Sequence, residues 1–564
     1  MYYISKWFVC QIMVLNFLFL SAGYCEKTAL VSLSINKKIT RNYSVEISSP
    51  GIKRSVNETF ASNGFDMQRN LLHPNISIKG ATFQQGSVFI DGIKIDDPQT
   101  AHNNLNIPLT TDDIEKIEFL PGQGYAGGIN IVTRQPENNV SADITAGDFS
   151  TREGRITVSR LLNKCADMLS FEKKISKGYG YDTDYDITTF FNKYEIYRPS
   201  FESGLVLGYL KKDLGANGFY ADFPSYERTE TYISQINVDY NYRGISLRPE
   251  FQFKQNIDDF ELDIRRPGWS ANSHRTNIYT GQIKASKNNF FSTLNISEEK
   301  IKSSNLGRHS RTVYALSGNY VYNPKNFLEV TPGVMFTKSP DNSVLSPSVS
   351  FDCDISSRLK IKSLLRHSSR LPSFTELYYK DAANTGAPNL GSEKAILFET
   401  GINYSGSGLN LFMRNERDII DWIKLNKTDP KWQATNIGKA QFYGYELNIR
   451  KNIAVIQTKI SYSYVNAAKR AEYISKYALR YAHHLASCEI IYPLFYGIEQ
   501  TVNGIYKKRI SGEEYFVVDT EIAKNYSRGK YYLKIANILD RKYMEIPFVP
   551  MPPIIFNFGI TINF

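Results

Sequence analysis

Asp182, Asp184 and Asp186 stand at alternate positions in the segment YGYDTDYDI, with Tyr181, Thr183, Tyr185 and Ile187 on the other face. In an extended chain these carboxylates lie about 7 Å apart, and they repel each other unless water or a hard cation such as Ca²⁺ separates them. The spacing fits a calcium-holding loop or a solvated face beneath a band of tyrosines. Gly122, Gly124 and Gly127 in GQGYAGG have the spacing of a dinucleotide-binding turn. Such a turn opens a helix, whereas here the strand-like INIVT follows, so the glycines read as tight turns. His483 and His484 adjoin, but a hydrolase needs a nucleophile, base and orienter within reach, and no Gly-x-Ser-x-Gly elbow occurs. No catalytic residue is assigned. No cysteine pair has metal-ligand or disulfide-framework spacing, so the five cysteines read as small apolar side chains.

The elements that would carry these residues are strands. From about Val140 onward the chain settles into short alternating segments separated by turn residues. Ile236, Val238, Tyr240 and Tyr242, for example, are interleaved with Gln235, Asn237, Asp239 and Asn241. About 22 such segments fit between Val140 and Phe564 with no helical stretch among them. The last, Phe556, Phe558, Ile560, Ile562 and Phe564, is apolar at every second place. A soluble sandwich could show the same alternation. One closed barrel accounts for so many strands more economically, because closure removes every edge and pairs each backbone group within a membrane. A barrel of that size has a wide lumen that must be filled. The segment before Val140 is the candidate filler, with short strands at Val88–Ile90, Ile114–Leu120 and Ile129–Val132.

Composition agrees with an exported membrane barrel. The chain has 38 Tyr and 33 Phe against 4 Trp, and aromatic girdles mark both interfaces of such barrels. Lys6, the apolar run Trp7 to Leu20 and the small residues Ser21, Ala22 and Gly23 read as a secretory signal cleaved after Gly23 or Cys25. No later segment has the long uncharged run of a membrane-spanning helix. The formal charge of +11 is spread among 56 acidic residues without a dense basic run, which argues against nucleic acid as a partner. It reads instead as lumen and loop charge, suited to anionic lipopolysaccharide or an anionic ligand.

Several segments in order resemble the TonB-dependent outer-membrane receptor family. In the first part of the chain these are FDMQRNLLHPNISIKG (Phe65 to Gly80), VFIDGIKIDDPQT (Val88 to Thr100), DIEKIEFLPG (Asp113 to Gly122) and GGINIVTR (Gly127 to Arg134). In the second they are SSRLPSFTELYY (Ser368 to Tyr379), NLGSEKAILFETGINY (Asn389 to Tyr404), NIGKAQFYGYELNI (Asn436 to Ile449) and NILDRKYMEIPFVPMPP (Asn537 to Pro553). The terminal Phe564 resembles the family's barrel-assembly signal. DPQTAHNNLNIPL (Asp97 to Leu109) and DLGANGFYADFPSYERTET (Asp213 to Thr231) look closest to cobalamin-receptor-like members.

The resemblance implies an all-β membrane protein: a signal at 1–25, a TonB-box region and small α+β plug at 26–139, and an antiparallel transmembrane barrel of about 22 strands at 140–564. It implies a monomeric receptor of the bacterial outer membrane, importing a cobalamin, iron-siderophore or similar metal complex with energy from TonB, ExbB and ExbD. The TonB box would be Thr28, Ala29, Leu30, Val31, Ser32 and Leu33, the short β-prone run behind the signal to which a partner can add a strand. Substrate contacts in the family come from plug apices and outer loops, which here points to Asp96, Asp97, Gln99, Thr100, His102, Asn103 and Asn104. Calcium-ordered loops of cobalamin receptors favour calcium at Asp182, Asp184 and Asp186, and no other cofactor is expected. The chain departs from the family in a shortened segment before Phe65, a trimmed loop before Gly127, and Pro552-Pro553 where Pro-Gly-Arg is common. A surface receptor or adhesin that has lost energised transport is the alternative.

Overall fold

A computed structural model describes residues 59–60, 65–69, 74–216, 223–468, 473–477, 480–546 and 549–564. The N-terminal part builds a four-stranded sheet preceded by a two-stranded ribbon, β1 (Asp66–Arg69) with β2 (Pro74–Ser77). The sheet comprises β3 (Ser87–Ile90), β4 (Ile93–Lys94), β5 (Ile114–Leu120) and β6 (Gly128–Thr133), in the order β4-β3-β6-β5. β3 and β6 run parallel, and the other two pairings are antiparallel. The three strands expected here are therefore present. They form because short apolar runs, VFI and INIV, are cut off by turns such as Asp91-Gly92, where both residues adopt the left-handed conformation.

The remaining chain forms a closed antiparallel barrel from β7 (Asn139–Gly147) to the strand Ile555–Asn563. Twenty-two strands make the ring once the short pieces Tyr322–Lys325, Asn384–Thr385 and Ile474–Ser475, which the main pairings bypass, are set aside. The terminal strand closes it: Ile560 pairs with Ile144, and the Phe564 amide donates to the Val140 carbonyl at 2.9 Å. Alternation does what the sequence predicted, turning Ile144, Leu294, Leu316, Leu345, Leu411 and Phe558 outward as exposed side chains. One rim carries tight turns such as 243–244, 288–289 and 405–406, and the other carries the long connections 262–270, 371–392 and 537–554.

The small domain lies inside the ring. Its apolar core of Met67, Ile78, Val88, Ile90, Ile117, Phe119, Ile129 and Ile131 is continuous with Met168, Phe191, Val206 and Ile233 of the wall. The wall comes so close that a Cβ on Gly208 would sit 2.7 Å from the Pro108 ring. Elsewhere lumenal cations grip the domain's backbone. Lys254 Nζ donates to the Ile95 carbonyl at 2.6 Å, Arg414 Nη1 to Lys79 at 3.2 Å, Lys507 Nζ to Met67 at 2.8 Å, and Arg366 to Gly124 and Tyr125 at 2.8 and 3.0 Å. A charge-assisted bond to a carbonyl in a dry interface is stronger than a neutral one, and its loss leaves a buried charge. Part of the lumenal charge expected from the sequence therefore holds the domain in place.

Candidate functional site at the loop rim

Five of the seven residues expected at the domain's apex are buried, namely Asp97, Gln99, Thr100, Asn103 and Asn104. Most of their polar groups are engaged, Gln99 Oε1 and Asn103 Nδ2 being the buried atoms left without a hydrogen bond. Asn104 Oδ1 accepts from the Asp97 amide at 2.8 Å, Thr276 donates to Asp97 at 3.1 Å, and Gln99 Nε2 donates to Asp258 at 3.1 Å. Burial pushes the Asp97 carboxyl above its ordinary range, although Lys254 opposes this. Asp96 accepts from the Val88 amide at 2.8 Å and pairs with Lys94 at 3.0 Å. His102 shares a hydrogen bond with Asn75 at 3.0 Å and stacks on Phe83 with centroids 4.3 Å apart. The barrel connection 371–392 covers this loop, its Phe374 and Thr375 amides donating to the Pro98 and Gln99 carbonyls. The loop does reach the rim of long connections, as part of a joint between domain and barrel.

What faces that joint was not singled out from the sequence. Trp432 donates its amide to the Ala383 carbonyl at 2.8 Å and pairs with Asn384, knitting two long connections together. Lys424 lies 5.2 Å from the Trp432 ring, and Lys476 lies 5.9 Å from both Trp422 and Trp432 and 5.2 Å from Tyr477. Tyr379, Ala387 and Leu390 pack into the same cluster. A third connection repeats the theme, with Arg266 stacked 3.7 Å from the Trp269 ring. Apart from Trp7, every tryptophan of the chain thus sits beside a cation at this rim. That scarcity was the available signal, but pairing each Trp with its cation needed the fold.

The cluster connects to the interior by two routes. Phe83, in the 3₁₀ turn Phe83–Gln85, meets the Tyr477 ring edge-on at 5.3 Å. From the same turn Gln85 Nε2 donates to Glu393 Oε1 at 3.2 Å, and Glu393 also pairs with Arg370. Arg370 in turn forms a two-pronged bridge to Glu376, at 2.9 and 3.0 Å, in the short helix Phe374–Tyr378. That helix begins with a reciprocal cap between Ser373 and Glu376, so Glu376 both starts the helix and ties it to the wall. The connection 371–392 is therefore linked to the inner domain by an unbroken series of bonded side chains.

A second anchor lies under the connection 537–554. Burial opposes ionisation of Asp66, yet Arg509 and Lys507 hold its carboxyl below the usual range. Arg509 bridges Asp66 and Glu545, at 2.9 Å each, and Lys507 also reaches Glu545 at 2.9 Å. A third anchor is neutral in character. Asp113 is fully buried, accepts from the Thr110 amide and from Ser170 of the wall, and is pushed by desolvation up to about 7.

The remaining expectations fare differently. The segment holding Asp182, Asp184 and Asp186 is not extended throughout, because Asp182 adopts a left-handed turn (φ 56°) and only Asp186 lies in a strand. Lys173 engages Asp186, while burial and Asp184 raise Asp182 to about 6. Among the described residues no group of three or more His, Cys, Asp or Glu side chains is placed to hold a metal ion. Gly124 and Gly127 both have positive φ, and a Cβ on Gly127 would meet the Phe119 ring at 2.8 Å, so the glycine spacing serves a packed turn. His484 bonds Tyr462 and His483 bonds the Val465 carbonyl. Thr28 to Leu33 lie outside the described residues.

A closed 22-stranded barrel with an inner domain held by lumenal cations is the architecture of an outer-membrane receptor. The TonB dependent receptor-like β-barrel family matches residues 133–533, and the chain belongs to it. The family, one of TonB-dependent receptors and transporters, places the protein in the outer membrane of Gram-negative bacteria. No curated protein matches the chain in sequence. Solved structures do match in fold. The siderophore receptor PirA from Pseudomonas aeruginosa aligns at 14% identity with a TM-score of 0.72, covering 91% of this chain and 97% of that one. The ferric-catecholate import receptor Fiu from E. coli K12 aligns at 12% identity and 0.72, covering 90% and 94%. The FrpB iron transporter from Neisseria meningitidis aligns at 12% and 0.75, covering 91% and 97%.

Proposed function

We propose that the protein imports an iron–siderophore complex whose chelating groups are aromatic and anionic. The observation that carries this reading is the half-buried rim cluster of Trp432, Tyr477, Lys424 and Lys476, seated on the buried Trp422. Flat aromatic faces and ammonium groups together suit a ligand that offers rings and negative charge, and cation–π contacts already hold the cluster in shape. The siderophore and ferric-catecholate receptors of similar fold lend the reading support. A cobalamin ligand, suggested by the segments Asp97 to Leu109 and Asp213 to Thr231, is the less favoured substrate. Substrate on the cluster would bias the connection 371–392, and the Arg370, Glu376, Glu393 and Gln85 network would pass that bias to the inner domain, the plug. TonB, driven by ExbB and ExbD, would then pull on Thr28 to Leu33 and displace the plug.

The test is uptake of radiolabelled iron, presented as catecholate chelate, hydroxamate chelate or haem, and of cobalamin, in a strain lacking its own receptors. Catecholate-iron accumulation that disappears when Thr28 to Leu33 are deleted is the expected result. Uptake of cobalamin alone, or uptake indifferent to that deletion, overturns the reading.

A further inference from the structure

The outward face of the barrel carries charge as well as apolar side chains, and toward the loop rim the two signs are largely matched. Lys173 pairs with Asp186, Lys211 and Arg228 share Asp213, Lys300 pairs with Glu298, and Lys508 pairs with Glu514. Exposed pairs of this kind add little energy, but each gives its cation a counter-charge.

One row departs from that pattern. Lys394 in the strand Glu393–Tyr404 stands opposite Arg417 in Ser407–Lys424, and Arg417 stands opposite Lys439 in Trp432–Ile453. All three side chains are exposed. Ser369, paired with Lys394, extends the row by a hydroxyl. Side chains directly opposite on neighbouring strands lie about 5 Å apart at Cβ, and like charges so placed repel. The carboxylate beside them is Asp418, 3.9 Å from Lys394, and among the described residues Arg417 and Lys439 form no ion pair. The row Arg275, Lys302 and Arg308 is the nearest parallel, but Asp259 and Glu298 flank it on neighbouring strands.

Below the row the same three strands turn apolar toward lipid. Two to four residues further along lie Ile396, Phe398, Met413 and Tyr443, all exposed. Between the two levels Gln441 Nε2 donates to Asn415 Oδ1 at 2.7 Å, an amide pair at the change from charge to hydrocarbon. The row therefore sits at the height of lipid headgroups, above a wall on which acyl chains can lie.

We infer that Lys394, Arg417 and Lys439 form a seat for one phosphorylated glycolipid of the outer leaflet, its phosphates on the three cations and its acyl chains along Ile396, Met413 and Tyr443. A phosphate accepts from several donors at once. The fork of Arg417 suits it bidentately, while Lys394 and Lys439 act as point charges on either side. The row from Lys394 to Lys439 covers two strand spacings, roughly 10 Å, which fits a headgroup with more than one phosphate. A soluble anion would meet the same cations but gain nothing from the apolar wall beneath them. The seat lies outside the barrel wall and is independent of which substrate is imported.

Native mass spectrometry of the full chain, purified in detergent, tests it with three probes: bisphosphorylated lipid A, the same lipid after phosphatase treatment, and inorganic pyrophosphate. The expected result is one bisphosphorylated lipid retained per chain, with the dephosphorylated lipid bound at least tenfold more weakly. Arg417→Gln with Lys439→Gln should weaken retention by about tenfold or more, since each cation near a headgroup contributes to lipid affinity. Arg417→Lys with Lys439→Arg should keep most of it, and Lys173→Gln on another part of the belt should not change it. Equal retention of the two lipids overturns the inference, as does undiminished binding by the double Gln variant. Complete displacement of the lipid by pyrophosphate at equal concentration also overturns it, and assigns the row to a soluble anion. Failure of iron uptake in the earlier experiment would leave this result untouched.

Discussion

The wall from Phe290 to Asp354 and the wall from Leu359 to Arg509 are built from the same alternating strands, yet they turn different chemistry inward. The first presents mostly serine, threonine, alanine and asparagine to a cavity of about 1330 Å³, with Glu299, Arg311, Glu329 and Asp352 among them. The second presents Arg366, Arg370, Glu393, Arg414, Lys507 and Arg509, all engaged with the plug or with residues that bind it. Both are polar, so polarity alone does not distinguish a wall that holds the plug from one that borders a cavity. Reach does. A long cation can bridge from wall to plug and donate to a carbonyl there, whereas a hydroxyl on a short stem ends in solvent. The plug is thus held by the second wall and, across the ring, by Ser170 and Lys254, while the first wall contributes little to its grip.

Four substitutions break or sharpen that contrast, and the largest effect belongs to the clamp. Arg509→Ala removes one of the two buried cations that Asp66 and Glu545 share, Lys507 remaining, which should cost about 1.5–3 kcal/mol of local stability. Faster hydrogen exchange in β1 and β2, with the barrel strands unchanged, would register it. Equal exchange in the two proteins would show that the clamp is not there.

Asp113 comes next and acts through pH. Its native carboxyl titrates near about 7 against 3.8 for the free group, so the folded state binds the proton more tightly than the unfolded one. Plug stability from this site is therefore greatest below about 4 and declines as pH rises toward 7. Thermal unfolding should shift upward on acidification from pH 8 to pH 5, and Asp113→Asn should flatten that part of the response. An unchanged slope in the variant would refute the assignment.

A smaller effect is expected at the rim. Trp432→Ala removes one aromatic face and its cation–π contacts with Lys424 and Lys476, worth about 1 kcal/mol or less each, and so should weaken binding of a catecholate chelate by roughly tenfold or more while leaving the fold intact. Fluorescence titration of the purified receptor reads this directly. Least affected should be Ser348→Ala on the open wall, which is expected to change global stability by less than about 0.5 kcal/mol because its side chain borders solvent. A large loss in a denaturation curve would mean that this wall also bears on the plug.

The barrel was legible because lipid on one side and water or plug on the other impose a two-residue period that no turn chemistry can disguise. Phe556 to Phe564 and Ile236 to Tyr242 announced their faces residue by residue. The strands Val88–Ile90 and Ile114–Leu120 were legible for the same reason. The apex Asp96 to Asn104 was found as a polar loop, but polar side chains bonded to their own turn read the same in sequence as side chains awaiting a ligand. Trp422, Trp432 and Lys476 were missed because two adjacent strand ends and a separate connection bring them together. The distinction between the two walls also lay in side-chain length, Ser346, Ser348 and Ser350 against Arg366 and Arg370, but it acquires meaning only once the plug is known to lean on one of them.

The pairing of Ile144 with Ile560 also sets the order of events when the protein is made. A ring whose first and last strands meet cannot shut until almost the whole polypeptide has emerged, and contacts so remote in sequence are slow to form. The plug is complete long before that moment. It must therefore be captured as the ring shuts rather than threaded in afterwards, and the cations that grip its carbonyls come mostly from strands added late.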